Sequence, residues 1–203
     1  KKLIQASTSS LYGIADGAFR EDQRTDRPLS PYAASKKAAE AYCHTYHHLY
    51  DIDITILRYF TVYGPAGRPD MSIFRFIHWI DQEQPVRIYG DGSQQRDFTF
   101  VEDIARGTTL ALKPMGYEII NLGGDRSISL QDVIGILEEL LNKSARIEYS
   151  QKHPTDVPST WADISKAKRL LGWEPKVTLE EGLRRSVAWY HENVQWVQEL
   201  ELE

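Results

Sequence analysis

Ser30-Pro31-Tyr32-Ala33-Ala34-Ser35-Lys36 reads as a helix start, and the stretches on either side of it decide the fold. Serine is a favoured N-cap, and proline suits the first helical position, where its missing N–H costs nothing. The residues that follow, to about Leu49, are rich in Ala, Glu and Lys and carry the helix on. Upstream, Lys2-Leu3-Ile4-Gln5-Ala6 predicts a buried strand, with the hydroxyl run Ser7-Thr8-Ser9-Ser10 at its carboxyl end. Residues 14–30 carry Gly, Asp, Arg and Pro without a period and read as a loop. Downstream, Asp53–Tyr59 is dense in β-branched residues and predicts a second strand before Gly64-Pro65. Strand, crossover helix and strand at this spacing make a βαβ unit, so the fold class is α/β with a parallel sheet. Ligands of such sheets bind beyond the carboxyl ends of the strands, where Ser7–Ser10 and Phe60–Gly64 lie.

Further on, the pattern predicts a helix over Met71–Gln82, a strand over Val86–Tyr89, a turn at Gly90-Asp91-Gly92-Ser93 and a strand over Thr99–Val101. A helix over 102–112, a strand over Glu118–Leu122 and a helix N-capped by Ser129 follow. Ile147–Tyr149 predicts a strand, Asp163–Leu171 a helix stopped by Gly172, and Thr178 with Glu181 a capping box opening the last helix. Residues 1–64 are expected to form part of the parallel-sheet domain with the capped helix. Residues 65–203 are expected to be mainly a small α+β lobe, with some segments returning to the sheet.

The 203 residues suffice for a real core, and 41% hydrophobic with 26% charged is an ordinary globular balance. A formal charge of −5 argues against a general nucleic-acid binder, which needs a basic field. No apolar run has the length of a membrane span. The single Cys43 excludes an internal disulfide and fits a reducing, cytoplasmic compartment. A chain that opens directly in a strand reads as a piece of a larger fold.

Tyr32 and Lys36 lie one turn apart on one helix face. A phenol beside an ammonium can serve as a proton carrier, because the cation favours the phenolate. Such a base can take a proton from a sugar or alcohol hydroxyl, and Thr8 at the adjoining strand end could complete the relay. Alone, Tyr-x-x-x-Lys is a weak motif. His44 and His48 have metal-ligand spacing, but no third ligand is evident and a solvated or subunit-facing surface explains them better. Trp189, Tyr190 and Trp196 read as packing residues.

Five motifs in order resemble the extended short-chain dehydrogenase/reductase family of nucleotide-sugar epimerases and dehydratases. They are Ser7-Thr8-Ser9-Ser10-Leu11-Tyr12-Gly13, Tyr32-Ala33-Ala34-Ser35-Lys36, Leu57-Arg58-Tyr59-Phe60-Thr61-Val62-Tyr63-Gly64-Pro65, Arg96-Asp97-Phe98 and Trp161-Ala162-Asp163-Ile164-Ser165-Lys166-Ala167. The resemblance implies the carboxyl-terminal part of a Rossmann-type sheet, NAD as cofactor, and a UDP-sugar as substrate. Thr8-Ser9-Ser10 carries no acid, unlike the dehydratases and decarboxylases, and in this resembles 4-epimerases. Phe60–Met71, with Gly67-Arg68-Pro69-Asp70, is similar to UDP-glucuronate 4-epimerases; UDP-glucose/galactose 4-epimerases are the nearest alternative.

By that resemblance Thr8, Tyr32 and Lys36 are catalytic, and Tyr32, Lys36, Tyr59 and Val62 face the NAD. Ser9, Ser10, Thr61 and Arg68 would meet the sugar, the last two its carboxylate. Arg96 would bind the diphosphate, Arg87 and Tyr89 would flank the uracil, and Asp156 would contact the ribose. His153 stands where the family often has Arg. A homodimer is implied for the intact protein. None of the thirteen Gly forms the Gly-x-x-Gly-x-x-Gly turn that holds the NAD pyrophosphate, so this chain alone is expected not to bind NAD, and a non-catalytic nucleotide-sugar-binding piece is the reading from another class.

Overall fold

The structure, a computed structural model, describes residues 1–14, 17–151, 157–197 and 199–200. Strand β1 (Lys2–Thr8) ends in one 3-10 turn, Ser9–Tyr12. Helix α1 (Pro31–Tyr50) starts where the sequence places it: Ser30 Oγ accepts from Ala33 N at 3.1 Å and Pro31 is its first residue. Asp51, in the left-handed conformation, closes α1 and leads into β2 (Asp53–Tyr59). β1 and β2 are parallel, Lys2 opposite Asp53 and Thr8 opposite Tyr59.

After β2 come β3 (Thr61–Tyr63), α2 (Ser72–Asp81), β4 (Pro85–Tyr89), β5 (Gln95–Arg96), β6 (Phe98–Phe100) and α3 (Val101–Leu110). β7 (Tyr117–Leu122) returns to pair parallel with β2, giving the order β1-β2-β7. β8 (Ile128–Ser129), α4 (Leu130–Leu141), β9 (Arg146–Ser150), α5 (Ser165–Leu171), α6 (Leu179–Glu192) and the one-turn α7 (Val194–Val197) complete the described chain. In the smaller pairings, β3–β6 and β4–β9 are parallel and only the two-residue β5–β8 is antiparallel.

β2 is the central strand and is buried on both faces. Ile54 and Ile56 pack with Cys43 of α1 on one face, while Leu57 packs with Ile104, Ile120, Leu122 and Trp173 on the other. A separate apolar core joins Phe76, Ile77 and Ile80 of α2 to Val86 and Ile88, to Val133 and Leu137 of α4, and to Leu183 and Tyr190 of α6. Each fully buried side chain of this kind contributes about 1.5–3 kcal/mol. Between the two cores runs the loop after β3. Gly64 opens it at φ 150°, and a Cβ there would stand 2.6 Å from Val101 Cγ1, so only glycine fits.

Local signals place the α6 cap correctly but start α5 two residues early and expect a full capping box at α6. Asp163 is not in α5; its carboxylate accepts from Ser165 N at 2.8 Å and starts the helix there. Thr178 caps α6 by accepting from Glu181 N at 3.3 Å, but the Glu181 carboxylate turns to Arg185 Nε at 2.7 Å instead of closing the box. Trp196 lies on α7, edge-on to Trp189 with ring centres 5.6 Å apart. Among the described residues no helix is long and apolar enough to cross a membrane, and no group of three or more His, Cys, Asp or Glu is placed to hold a metal.

Candidate active site

The carboxyl ends of β1 and β2, the first turn of α1 and the loop after β3 enclose a cleft of about 570 Å3. It is lined by Thr8, Ser9, Ser10, Tyr32, Tyr59, Thr61, Val62 and Arg68, together with Gly64, Met71 and Val101. Residues as far apart in sequence as Thr8 and Val101 thus share one cleft. The parallel register does this: it ends both strands at the same level, and the crossover helix begins above them.

Thr8 is buried, and its hydroxyl is engaged: Oγ1 accepts from Ser10 N and donates to Ser10 Oγ, both at 3.2 Å. It is at once the cap of the 3-10 turn and part of the cleft wall. Tyr32 stands half out of the surface, 52% exposed, so its phenol is open to whatever enters. Lys36 Nζ lies 5.9 Å from the centre of the Tyr32 ring and donates to Ala6 O at 3.1 Å, which ties it to the edge of β1 beside the cleft. The Tyr59 hydroxyl bonds Thr108 Oγ1 at 2.9 Å, so Tyr59 brings no free hydroxyl to the cleft.

Arg68 enters the cleft from the far side and is exposed, with its guanidinium forked onto Asp70; Nε donates to Oδ1 at 3.0 Å. Asp70 holds the guanidinium above its ordinary pKa, with Tyr32 adding to the effect, and Arg68 in return holds the Asp70 carboxyl below the usual carboxylate range. An exposed pair of this kind is worth about 0–1 kcal/mol, so an incoming carboxylate can replace Asp70 at little cost.

Arg96 does not line the main cleft. It lies in an adjoining cleft of about 230 Å3 that shares Ser9, Ser10 and Thr61 with the first. Arg87 and Tyr89 sit on the exposed side of β4 and line neither cleft. Asp156 and His153 lie outside the described residues.

Beneath the cleft is a constellation of which the sequence motifs contain Arg58 and Tyr12 but not Glu40 or Asn121. Arg58 and Glu40 form a buried ion pair, only 2% and 3% exposed. Burial presses the Arg58 pKa down, but the hydrogen bonds and charge of Glu40 prevail and hold it above the ordinary value. Arg58 Nη1 donates to Tyr12 Oη at 2.9 Å, and Tyr12 donates to Asn121 Oδ1 at 2.7 Å. Burial pushes the Tyr12 phenol up to about 12, so it is a neutral donor here. The signal was present: an arginine inside an apolar strand needs an acid, and Glu40 is the next acid on the Tyr32–Lys36 face.

Asp97, between Arg96 and Phe98, is buried, and among the described residues no cation is bonded to it. It accepts from Ala162 N at 2.9 Å, from Thr99 Oγ1 at 3.3 Å and from Gly124 N. Burial raises its pKa to about 6, against the pull of the donors. The folded state therefore binds its proton more tightly than the unfolded chain does. That stabilisation is complete below about pH 4 and is lost as pH rises through about 6, a change on the order of 2–3 kcal/mol. Urea unfolding of wild type and Asp97→Asn across pH 4–7 is expected to show wild type losing stability relative to the variant as pH rises. A constant difference would place the Asp97 titration elsewhere.

The model of the GDP-mannose 4,6 dehydratase family matches residues 1–186. The chain belongs to that family. It is 59% identical over its whole length to a UDP-glucuronate 4-epimerase of Thermodesulfobacterium geofontis, of which it covers 63%. UDP-glucuronate 4-epimerase 1 of Arabidopsis thaliana is 40% identical over 93% of the chain, which covers 48% of that relative. Among solved structures, the UDP-glucuronic acid 4-epimerase of Bacillus cereus in complex with UDP-glucuronic acid and NAD superposes with a TM-score of 0.91 at 45% identity, over 95% of this chain and 62% of that one. The UDP-glucose 4-epimerase of Thermotoga maritima with UDP-glucose gives 0.90 at 32% identity, over 96% and 64%. The chain spans less than two thirds of the length of these relatives. The α/β architecture expected from the βαβ unit, and its Rossmann type implied by the family resemblance, are what these structures share.

Proposed function

We propose that this chain carries the base and the sugar cleft of an NAD-dependent UDP-sugar 4-epimerase, with UDP-glucuronate and UDP-galacturonate as the interconverted pair. The observation that carries the reading is the single cleft onto which Thr8, Tyr32, Thr61 and Arg68 all open. The family takes its name from a dehydratase, but elimination of water needs an acid at the strand end, and Thr8-Ser9-Ser10 offers only hydroxyls.

NAD, when bound, supplies the hydride acceptor and donor for the sugar C4. The cleft fits such a group at its β2 end: Tyr59, its hydroxyl turned to Thr108, and Val62 line it there, and Lys36 stands at its edge. Tyr32 Oη takes the proton of the sugar 4-hydroxyl and returns it after the keto sugar has turned its other face. Lys36 favours the phenolate, and Thr8 Oγ1 positions the hydroxyl. Arg68 and Thr61 hold the hexuronate carboxylate, Arg68 exchanging Asp70 for it. Ser9 and Ser10 line both clefts, which supports a diphosphate running from the sugar cleft toward Arg96. On this reading Arg87 and Tyr89 receive the uracil and Asp156 the ribose. The protein acts as a homodimer, for which the exposed Tyr42, Tyr46, Leu49 and Tyr50 along α1 offer an apolar surface, and works in the cytoplasm, as the lone reduced Cys43 suits.

The fork of Arg68 onto Asp70 favours a second reading, a UDP-glucose/galactose 4-epimerase in which Arg68 meets no carboxylate. Arg68→Ala separates the two. The expected result is a loss of about 1.5–3 kcal/mol, roughly 10- to 100-fold, in kcat/KM for UDP-glucuronate with UDP-glucose changed less than threefold. Equal effects on both sugars would refute the carboxylate role. Calorimetric titration of this 203-residue chain with NAD is expected to show no micromolar binding, since its sequence holds no glycine-rich pyrophosphate turn; a micromolar Kd would overturn that.

A further inference from the structure

We propose that Arg58 and Glu40 are positioning residues that hold Thr8 and the Tyr32–Lys36 turn of α1 in register across the cleft. The inference rests on the reading of Tyr32 as the base. Neither residue touches the cleft. Yet each is bonded to one half of the relay. Glu40 lies one turn beyond Lys36 and two beyond Tyr32, on the same face of α1. Its Oε1 accepts from Ser7 Oγ at 2.6 Å, and Ser7 is the neighbour of Thr8. Arg58 is paired in register with Ser7 across β1 and β2. Its fork closes on Glu40, Nε to Oε1 at 2.9 Å and Nη2 to Oε2 at 2.8 Å. Its remaining arm holds Tyr12, in the 3-10 turn that Thr8 caps.

One ion pair therefore ties β1, the Thr8 turn, β2 and α1 together at a single point under the cleft. The other ties of α1 there are single bonds from flexible side chains, Lys36 Nζ to Ala6 O and Lys37 Nζ to Thr25 Oγ1, and only Ala33, Glu40 and Cys43 of its twenty residues are buried. Apolar contacts of that kind allow a helix to slide or rotate, whereas a two-bond fork allows one register. A buried pair is also poor value as a stabiliser, because desolvation offsets the attraction; fixing one arrangement is the use that remains.

The test replaces the pair by an apolar one, Arg58→Met with Glu40→Leu. Such exchanges keep or raise stability, so the melting temperature is expected within about 5 °C of wild type. The amide signals of Thr8–Ser10 and Tyr32–Lys36 in 1H–15N spectra of this chain are expected to shift, with those of α2 and α4 unmoved. In the longest natural form of the protein, kcat for UDP-glucuronate is expected to fall about 100-fold with KM within about threefold, the cost of misplacement by roughly an ångström. Unmoved amides and full kcat in a stable variant would overturn the proposal. Should the double variant not fold, Glu40→Gln keeps the shape and weakens the fork: a kcat lowered about tenfold or more supports positioning, and full kcat overturns it. Full turnover in Tyr32→Phe would instead refute the base reading, while the amide shifts still report on the anchor.

Discussion

Arg58→Ala is expected to destabilise the chain by about 3–5 kcal/mol, the cost of breaking a buried ion pair from one side. The magnitude follows from what the truncation strands. Glu40 is 3% exposed and keeps only the Ser7 hydroxyl, 2.6 Å away, against its charge; Lys37 Nζ is no nearer than 4.0 Å. Tyr12 loses its only cationic neighbour at hydrogen-bond distance and the guanidinium stacked 4.9 Å from its ring centre. A cavity the size of the side chain opens on the Ile56 face of the buried central strand. For a chain of this size the loss corresponds to a fall in melting temperature on the order of 10 °C. Urea unfolding followed by far-UV circular dichroism checks it. A change under about 1 kcal/mol would mean that water reaches Glu40 and that the pair is not the buried unit described above. The contrast with the apolar double exchange is the informative part: removal of one partner costs far more than replacement of both.

The two halves of that pair show where reading the sequence stops. Arg58 is visible as an anomaly, a base in an apolar strand, whereas Glu40 is an ordinary acid on a helix rich in Ala and Lys, and their pairing depends on how α1 crosses the sheet. The elements themselves were legible, because their causes are local. Ser30, Ser129 and Thr178 each accept from the N–H three residues on, so three helix starts are fixed within a single turn of chain. The βαβ unit was legible too, since its handed, parallel geometry follows from the order of elements. Partners in the small lobe were not. Period and composition mark Val86–Tyr89 and Ile147–Tyr149 as strands, but nothing in either segment says that they lie side by side and parallel. The same holds for Asp97, whose three donors come from segments brought together only by folding. For the cleft, the strand-end hydroxyls and Tyr32 were placed by topology, whereas the engagement of Arg68 with Asp70 is a side-chain event that spacing two apart permits but does not require.

Tyr32→Phe is expected to lower kcat for the UDP-sugar by about 10²–10⁴-fold while leaving the fold untouched. Stability and function separate here because of exposure. The Tyr32 ring is 52% exposed, and the described hydrogen bonds include none from its hydroxyl, so deleting one oxygen strands no buried partner and is expected to change stability by less than about 0.5 kcal/mol. The same exposure is what a proton carrier requires: its oxygen must reach a ligand that arrives from solvent. Two cations flank it, Lys36 from its own helix and Arg68 from the opposite wall, so a phenolate formed there is met by charge on both sides. Phenylalanine keeps the ring and both cations and removes only the oxygen proposed to move the proton, so UDP-glucuronate should bind the variant within about threefold of wild type while turnover is lost. The measurement is kcat and KM in the longest natural form of the protein, with ligand affinity taken separately by calorimetry. Turnover within tenfold of wild type would move the proton transfer to another group, and Thr8, whose hydroxyl already donates to Ser10 within the same wall, is the one the geometry would leave.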